Sequence, residues 1–204
     1  SPDLRSQLLS QKVTTIDGVL YTHCHADQTH GINDLRIFYL KKNKRIPIYC
    51  DKITSKYLTK NFSYCFVRKY DYPAILILKP FKKNFSLGEK GKIIHIKAIK
   101  VRHGSIDSIG YIINNKIAYI SDANSFYKRD YDCFKDLKYL IIDCLRFNKH
   151  SSHFNLEDVL RITKSLEPKK TILTNLHSDL DYNQLLKMLP NNIKPGYDGL
   201  SINI

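Results

Sequence analysis

The stretch that decides the fold is Thr22-His23-Cys24-His25-Ala26-Asp27-Gln28-Thr29-His30-Gly31. It follows an apolar, β-prone run, residues 18–22, that predicts a short buried strand. Alternate side chains of an extended backbone point to one side, so we expect His23, His25 and Asp27 to face a single point. We expect Cys24 and Ala26 to turn into the protein. Two imidazoles and a carboxylate at this spacing suit Zn²⁺, Mn²⁺ or iron. The alternative is a solvated loop without function, and the buried strand that leads directly into these residues argues against it.

Other histidines and aspartates also stand at or just past the ends of predicted strands. A predicted strand over 92–101 leads to His103, and a predicted hairpin over 109–120, with Asn114-Asn115 as its turn, leads to Asp122. Asp143 lies near the end of a strand over 139–144, and a strand over 170–174 leads to His177. Loops at the ends of strands are where a rigid sheet can direct chemical groups into one cleft.

Helical spacing and N-capping residues predict the helices that separate these strands. The predicted helices run from Ser1 to about residue 10, over 31–42, from Asp51 to about 61, from Asn155 to about 166, and from Asp181 to 189. Further strands are predicted over 46–50 and 200–204, and the segment 74–78 is expected to be buried. Because helices and strands alternate without a repeat or a long linker, we predict one layered domain of mixed α and β structure over residues 1–204.

The composition fits a soluble globular protein. The chain has 204 residues, of which 43% are hydrophobic and 25% charged, and no apolar run is long enough to span a membrane. Residues 1–5 lack the features of a signal peptide, so a cytoplasmic location is expected. Five scattered cysteines form no C-x-x-C motif, which favours free thiols over disulfides or a zinc ribbon.

The net charge of +14 has two interpretations. It is compatible with a nucleic acid or another anionic partner. It also follows from a composition rich in Lys, Asn, Ile and Tyr and devoid of Trp, as an AT-rich coding sequence gives. The lysines are spread along the chain, which favours the second interpretation.

The quoted stretch resembles the His-x-His-x-Asp-His signature of the metallo-β-lactamase superfamily. Its flanks, Ser1 to Arg5 and His30 to Arg36, resemble the PhnP-like phosphodiesterase branch. The remaining motifs of that branch are matched in order, and the resemblance covers essentially the whole chain. The matching segments are His103-Gly104, Ile120-Ser121-Asp122, Asp143-Cys144-Leu145-Arg146, and Leu173-Thr174-Asn175-Leu176-His177 through Leu180-Asp181-Tyr182.

The resemblance implies an α+β fold, the four-layer αββα sandwich, and a centre for one or two divalent ions, Zn²⁺ or Mn²⁺. One ion would take His23, His25 and His103, the other Asp27 and His177, and Asp122 would bridge both. The implied reaction is in-line attack of a metal-bound hydroxide on phosphorus, in a small phosphoester or a cyclic nucleotide-like ribosyl phosphate. Asp27 and His153 are the residues expected to be catalytic.

Two features depart from the superfamily pattern. Gln28 stands where the pattern has a histidine ligand of the second ion, and a neutral amide is a poorer zinc ligand than imidazole. Members of the superfamily also usually carry further strands before the segment that corresponds to Ser1, so the first N-terminal strands of the sandwich are expected to be lacking. Either the chain is a fragment or those strands come from elsewhere; an open strand edge would favour pairing of two copies.

Several further residues are candidates on softer grounds. His150 and His153 precede a predicted helix, where they would contact a substrate phosphate or simply cap the loop, and we favour His153 for the substrate. Arg146 would pair with that phosphate or with Asp143, which is expected to orient a ligating imidazole. His95, inside a strand, is expected to be structural.

Three functional interpretations follow. The favoured interpretation is a metal-dependent phosphodiesterase that acts on a small phosphoester. A tRNA-processing nuclease of the same superfamily would suit the positive charge, but no extra RNA-clamping arm is evident, so nucleic acid is not the favoured partner. The third is a catalytically decayed relative that only binds metal or nucleotide, which Gln28 motivates.

Overall fold

The computed structural model describes residues 1–88, 91 and 93–203, and these divide into two compact units. Unit 1 comprises Ser1–Lys82 and unit 2 comprises Lys83–Ile204. Together the units contain two β-sheets and seven α-helices in mixed order, as the α+β sandwich class predicts. No helix of the described part of the chain is long and apolar enough to cross a membrane.

Unit 1 is a small parallel sheet surrounded by short helices. Its elements are α1 Leu4–Ser10, β1 Val19–Leu20, α2 Ala26–Thr29, a 3-10 helix Ile32–Leu35, α3 Arg36–Lys42, β2 Ile46–Tyr49, α4 Lys52–Asn61, α5 Ser63–Phe66 and β3 Leu76–Leu78. The strands lie in the order β1-β2-β3, all parallel. The central strand, β2, buries Ile46 and Ile48 against Leu58 of α4 and other apolar side chains, which gives unit 1 its own core.

Unit 2 is built on one large mixed sheet. Its elements are β4 Asn84–Leu87, β5 Ile94–His103, β6 Ile106–Ile113, β7 Ile117–Ile120, β8 Ser125–Phe126, a 3-10 helix Lys128–Phe134, β9 Tyr139–Asp143, α6 Leu156–Leu166, β10 Lys170–Thr174, α7 Tyr182–Met188 and β11 Ile193–Pro195. The strand order is β11-β10-β9-β7-β6-β5-β4, and β8 pairs with β5. Strands β7, β9, β10 and β11 are parallel, whereas β4 to β7 pair antiparallel.

The predicted hairpin is confirmed as β6 and β7. Asn114 and Asn115 both have positive φ, 51° and 53°, which is the backbone of the two-residue turn that matches strand twist. The amide of Lys116 donates to the carbonyl of Ile113 at 3.0 Å and closes the turn. The hairpin carries the chain into Ser121-Asp122.

The strand directions place the predicted polar residues at one edge of the unit 2 sheet. Strand β5 runs in the same direction as β7, because both pair antiparallel with β6, and β9 and β10 run parallel to β7. The predicted residues His103, Asp122 and Asp143 therefore follow or end strands at the same edge, and His177 follows β10 there. Within unit 2 this agrees with the expectation that these strand ends share one edge of the sheet.

Both termini differ from the prediction. The regular first helix begins at Leu4, later than predicted, although the Ser1 hydroxyl accepts from the Asp3 amide at 3.0 Å, as an N-cap does. Residues 201–203 form no strand, although they are β-prone, since β11, Ile193–Pro195, pairs with β10 instead. Lys92 and Ile204, which began and ended predicted strands, lie outside the described residues.

Candidate metal centre

In unit 1 the loop after β1 places two histidine rings side by side. His23 is 2% exposed, its Nδ1 lies 3.1 Å from the hydroxyl of Thr22, and its ring centroid is 4.5 Å from that of His25, edge to face. His25 keeps an extended backbone, with φ −63° and ψ 156°. The two imidazoles therefore lie together, as their spacing predicts.

The extended conformation ends at His25, contrary to the prediction for Asp27. The chain turns into α2 at Ala26, and the hydroxyl of Thr29 donates to the carbonyl of His25 at 2.9 Å. Asp27 is thus placed by helical and not extended geometry, and Ala26 is exposed, so its predicted burial is wrong. The His25 carbonyl also accepts from the Gln28 amide at 3.2 Å, and this bond begins the single helical turn over Ala26–Thr29.

Two neighbouring side chains in this loop make contacts of their own. The Nε2 amide of Gln28 donates to Oδ2 of Asp27 at 2.8 Å. His30 lies against the aromatic side chains of Tyr57 and Phe62, with its Nε2 3.4 Å from the hydroxyl of Tyr57.

In unit 2 three side chains bring potential ligand atoms within 4.8 Å of one another: His103, Asp122 and His153. The Nδ1 of His103 lies 2.7 Å from the carbonyl of Ser152, which can only accept, so Nδ1 carries the proton and Nε2 keeps a lone pair for a ligand. This contact is supported at Gly104, whose φ is +59° and where a Cβ would come within 2.9 Å of the Cβ of Ser152.

Asp122 supplies the test of whether a cation fits. Its side chain is almost fully buried, and among the described residues no partner hydrogen-bonds to its Oδ2. A buried carboxylate oxygen without a donor is costly unless a proton or a cation satisfies it. With imidazole nitrogen and carboxylate oxygen at hand, the donor set suits Zn²⁺ or a similar ion.

His153 is held by a buried carboxylate. Its Nδ1 lies 2.7 Å from Oδ2 of Asp143 and 3.9 Å from Oδ1 of Asp122. Asp143 is fully buried and also accepts from the Ala123 amide and, at 3.2 Å, from Nδ2 of Asn175. Burial raises the pKa of Asp143 to about 6, against the lowering effect of His153. The prediction that Asp143 orients an imidazole thus finds its partner in His153.

The remaining predicted residues of unit 2 have local partners. Arg146 donates from Nη2 to the carbonyl of Lys149 at 3.0 Å, and the partners of Asp143 are those named above, so the predicted Arg146–Asp143 pairing is not seen. His150 receives the Ser152 amide at 3.3 Å on Nδ1, and its ring lies 5.1 Å from that of His153. Burial lowers the pKa of His150, and the positive charges of His153 and Arg146 lower it further.

His177 follows β10 and is exposed, with its Nδ1 2.9 Å from Oδ1 of Asp179. No sequence motif predicted Asp179 as an orienting carboxylate, although its spacing of two residues from His177 could have indicated it. Asp181 caps α7 through the amide of Gln184, as predicted. His95 is an exposed residue of β5 whose Nδ1 contacts the hydroxyl of Ser86 across the strand pair, which fits a structural role.

A protein-family model described as a beta-lactamase superfamily domain matches residues 1–175. The chain belongs to this superfamily. The structure of a diphosphatase from the PhnP family is 27% identical, with a TM-score of 0.87 over 98% of this chain and 75% of that one. The chain therefore belongs to the PhnP-like branch of the superfamily, as the sequence motifs predicted.

Two further similar proteins are a solved structure and a curated sequence. The structure of the short form of human tRNase Z superposes with a TM-score of 0.71 over 99% of this chain and 86% of that one, at 15% identity, which shows a shared fold. A curated protein of Porphyromonas gingivalis named octanoyltransferase is 28% identical over 203 residues. This chain covers only 40% of that protein's length.

Proposed function

We propose that the chain is a metal-dependent phosphodiesterase acting on a small phosphoester or a cyclic nucleotide-like ribosyl phosphate. The observation that carries the proposal is the Asp143-backed imidazole of His153 beside the potential ligand atoms of His103 and Asp122. Superfamily members are metal-dependent hydrolases, and the structurally similar PhnP-family protein is called a diphosphatase. Both facts support chemistry at phosphorus.

The proposed ligands follow the resemblance. The centre would hold one or two ions. His23, His25 and His103 would hold the first, and Asp27 and His177, with Asp122 shared between the two positions, are the residues that a second ion would use. The metal is Zn²⁺ or Mn²⁺. When bound, such an ion neutralises charge on the phosphoryl oxygens and acidifies water, which is the chemistry the reaction needs.

His153 would supply the proton in this reaction. The bond between phosphorus and the leaving oxygen breaks as a water oxygen adds to phosphorus. The attacking water gives up one proton to solvent, and the leaving oxygen takes a proton from Nε2 of His153. Asp143 holds Nδ1 on the other side of the ring, which fixes the orientation of the imidazole and stabilises its protonated form. Arg146 and His150, in the same loop, would face the substrate phosphate, with Arg146 supplying the positive charge.

The direct test is hydrolysis of 2′,3′-cyclic AMP, whose alkoxide leaving group needs a proton, by protein loaded with Zn²⁺ or Mn²⁺. We expect His153→Gln to lower kcat by about 10²–10⁴-fold, the usual contribution of a general acid. His95→Gln is the matched control, because His95 is an exposed strand residue with only a cross-strand contact. Absence of turnover by the unmodified chain with either metal would instead support the decayed, binding-only alternative.

The net charge of +14 keeps a tRNA-processing nuclease as the second candidate. Phosphate contacts make RNA binding weaken steeply with salt, with a slope of log K on log salt of about −0.7 per phosphate for single strands. Cleavage of a tRNA precursor at a defined position, at a rate above that of the small phosphodiester, would favour this candidate. A cytoplasmic location and pairing of two copies stay predictions of the sequence.

A further inference from the structure

The position proposed for a second ion, at Asp27, differs from the histidine position in the residue that stands beside it. In the superfamily pattern the residue after Asp27 is a histidine, and here it is Gln28. Its side chain points a donor, the Nε2 amide, at Oδ2 of Asp27, 2.8 Å away. Position 28 thus interacts with the Asp27 carboxylate as a hydrogen-bond donor.

Glutamine in place of histidine at position 28 weakens the binding of a second ion. A glutamine can offer a cation only its neutral amide oxygen, which borderline ions such as Zn²⁺ bind less well than imidazole nitrogen. If Gln28 turned its amide oxygen to a metal, the metal would gain only a weak ligand and Asp27 would lose its amide donor. If Gln28 kept its present orientation, position 28 would supply the metal with no ligand. Either arrangement leaves the second position with one strong ligand fewer than a binuclear site needs.

The first position does not depend on Gln28. Its proposed ligands are three histidines, of which His103 is oriented by the Ser152 carbonyl and His23 by the Thr22 hydroxyl. Within unit 2 the buried Oδ2 of Asp122 belongs to one donor group with His103, and its negative charge favours a cation there. A single divalent ion would be enough to satisfy that oxygen.

We infer that this chain binds one divalent ion tightly, at the histidine position, and that Gln28 prevents a second ion from binding at Asp27. This inference rests on the proposed metal centre. It specifies the centre as mononuclear, with Asp27 and Gln28 forming an amide–carboxylate pair in place of the second ion.

The test is metal stoichiometry, by native mass spectrometry and elemental analysis after loading with three equivalents of Zn²⁺ and desalting. We expect one zinc per unmodified chain, two in Gln28→His, and one again in the double variant Gln28→His with Asp27→Asn. Asp27→Asn alone should keep one zinc, since Asp27 is not a ligand of the tight ion. Both substituted residues lie on the surface turn α2, and circular dichroism checks that the variants fold.

The outcomes separate this inference from the proposed function. Two zinc ions in the unmodified chain would overturn the inference and leave the phosphodiesterase proposal standing. One zinc in Gln28→His, or loss of the single zinc in Asp27→Asn, would also overturn it. No zinc in any variant would remove the metal centre itself, and with it the proposed function; His103→Ala, which should lose the tight ion, is the reference for that state.

Discussion

At the scale of single residues, Asp143 combines complete burial with a position at the proposed site. Its carboxyl has a pKa of about 6 in the folded protein against 3.8 as the ordinary value, because burial disfavours the charged form. A carboxyl whose folded pKa is raised makes the protein lose stability as the pH rises from the unfolded pKa to the folded one. In metal-free protein this loss begins near pH 4 and is complete above about pH 6.

We therefore expect Asp143→Asn, compared with the unmodified chain, to be more destabilising at pH 4 than at pH 7.5 in metal-free protein, and to reduce phosphodiesterase activity. The single amide oxygen leaves part of the donor set of Ala123, His153 and Asn175 without an acceptor at every pH. The cost of ionising the buried carboxyl, on the order of 3 kcal/mol for two pKa units, is borne only by the unmodified chain and only as the pH rises towards 6 and above. Activity should fall by about 100-fold or more, since His153 loses the charge that supports its protonated form. Urea unfolding at several pH values and kcat measured at pH 7.5 check both. A variant less stable at pH 7.5 than at pH 4, relative to the unmodified chain, would contradict the expectation.

The cysteines provide a second residue-scale prediction. Burial raises the pKa of Cys50 and Cys144 to about 12 and that of Cys65 to about 11, and all three thiols are buried. Cys24 and Cys133 are half-buried. Because the thiolate is the reactive form, iodoacetamide at pH 8 should label Cys24 and Cys133 in the folded protein and the other three only after denaturation. Peptide mass spectrometry gives the count, and rapid labelling of Cys144 in native protein would contradict it.

Part of the site could be predicted at this scale and part could not. The adjacency of His23 and His25 follows from strand periodicity alone. The placement of Asp27 does not, since the helical turn at Ala26 depends on acceptors that His25 provides. The contact of Asp143 with His153 joins residues ten apart through a loop, and no local pattern encodes it. Only the shared sheet edge brings them together.

At the scale of elements, helix α6 ends at an unfavourable residue. Its C-cap, Glu167, has φ 47° and ψ 45°, a left-handed conformation that a side chain with a Cβ adopts at a cost. Glu167→Gly should remove this cost and raise the free energy of unfolding by about 0.5–1 kcal/mol. The control is Glu157→Gly, in the first turn of the same helix, which should lower it by about 1 kcal/mol because glycine is a poor helix former. The urea concentration at the midpoint of unfolding distinguishes the two variants, provided that the dependence of the unfolding free energy on urea is unchanged. Destabilisation by both substitutions would show that the α6 cap is not strained.

The elements that sequence predicted are those whose own residues determine them. The β6–β7 hairpin has its Asn114-Asn115 turn, α4 has its Asp51 cap on the Thr54 amide, and α6 has Asn155 on the Asp158 amide. Strands β4, β8 and β11 were missed, because two- to four-residue edge strands are defined by their partners and not by periodicity. The same reason explains why residues 200–203 form no strand: β-propensity without a partner forms no ladder.

At the scale of the whole molecule, the fold class was predictable because the ordered motifs run along the entire chain. The superfamily match over residues 1–175 and the structural match over 98% of the chain both confirm it. The prediction of one domain over 1–204 stays a prediction, since each of the two units has its own core. The hydrophobic pattern of a sequence indicates which residues are buried. It does not indicate whether these residues pack in one core or in two, which is why the number of domains does not follow from it.

Metal binding should be visible as a property of the entire chain, because an ion that binds only the folded state stabilises that state. At a free Zn²⁺ concentration of about 100 times Kd the gain is about 2.7 kcal/mol. For a chain of this size each kcal/mol raises Tm by roughly 2–4 °C, so zinc should raise Tm by roughly 5–10 °C and EDTA should reverse the rise. His103→Ala should abolish the zinc-dependent rise, while His95→Gln should keep it, since only His103 belongs to the buried donor group with Asp122. If zinc raised Tm equally in His103→Ala, the stabilising ion would be bound elsewhere on the chain, and the orphaned oxygen of Asp122 would need a proton and not a metal to satisfy it.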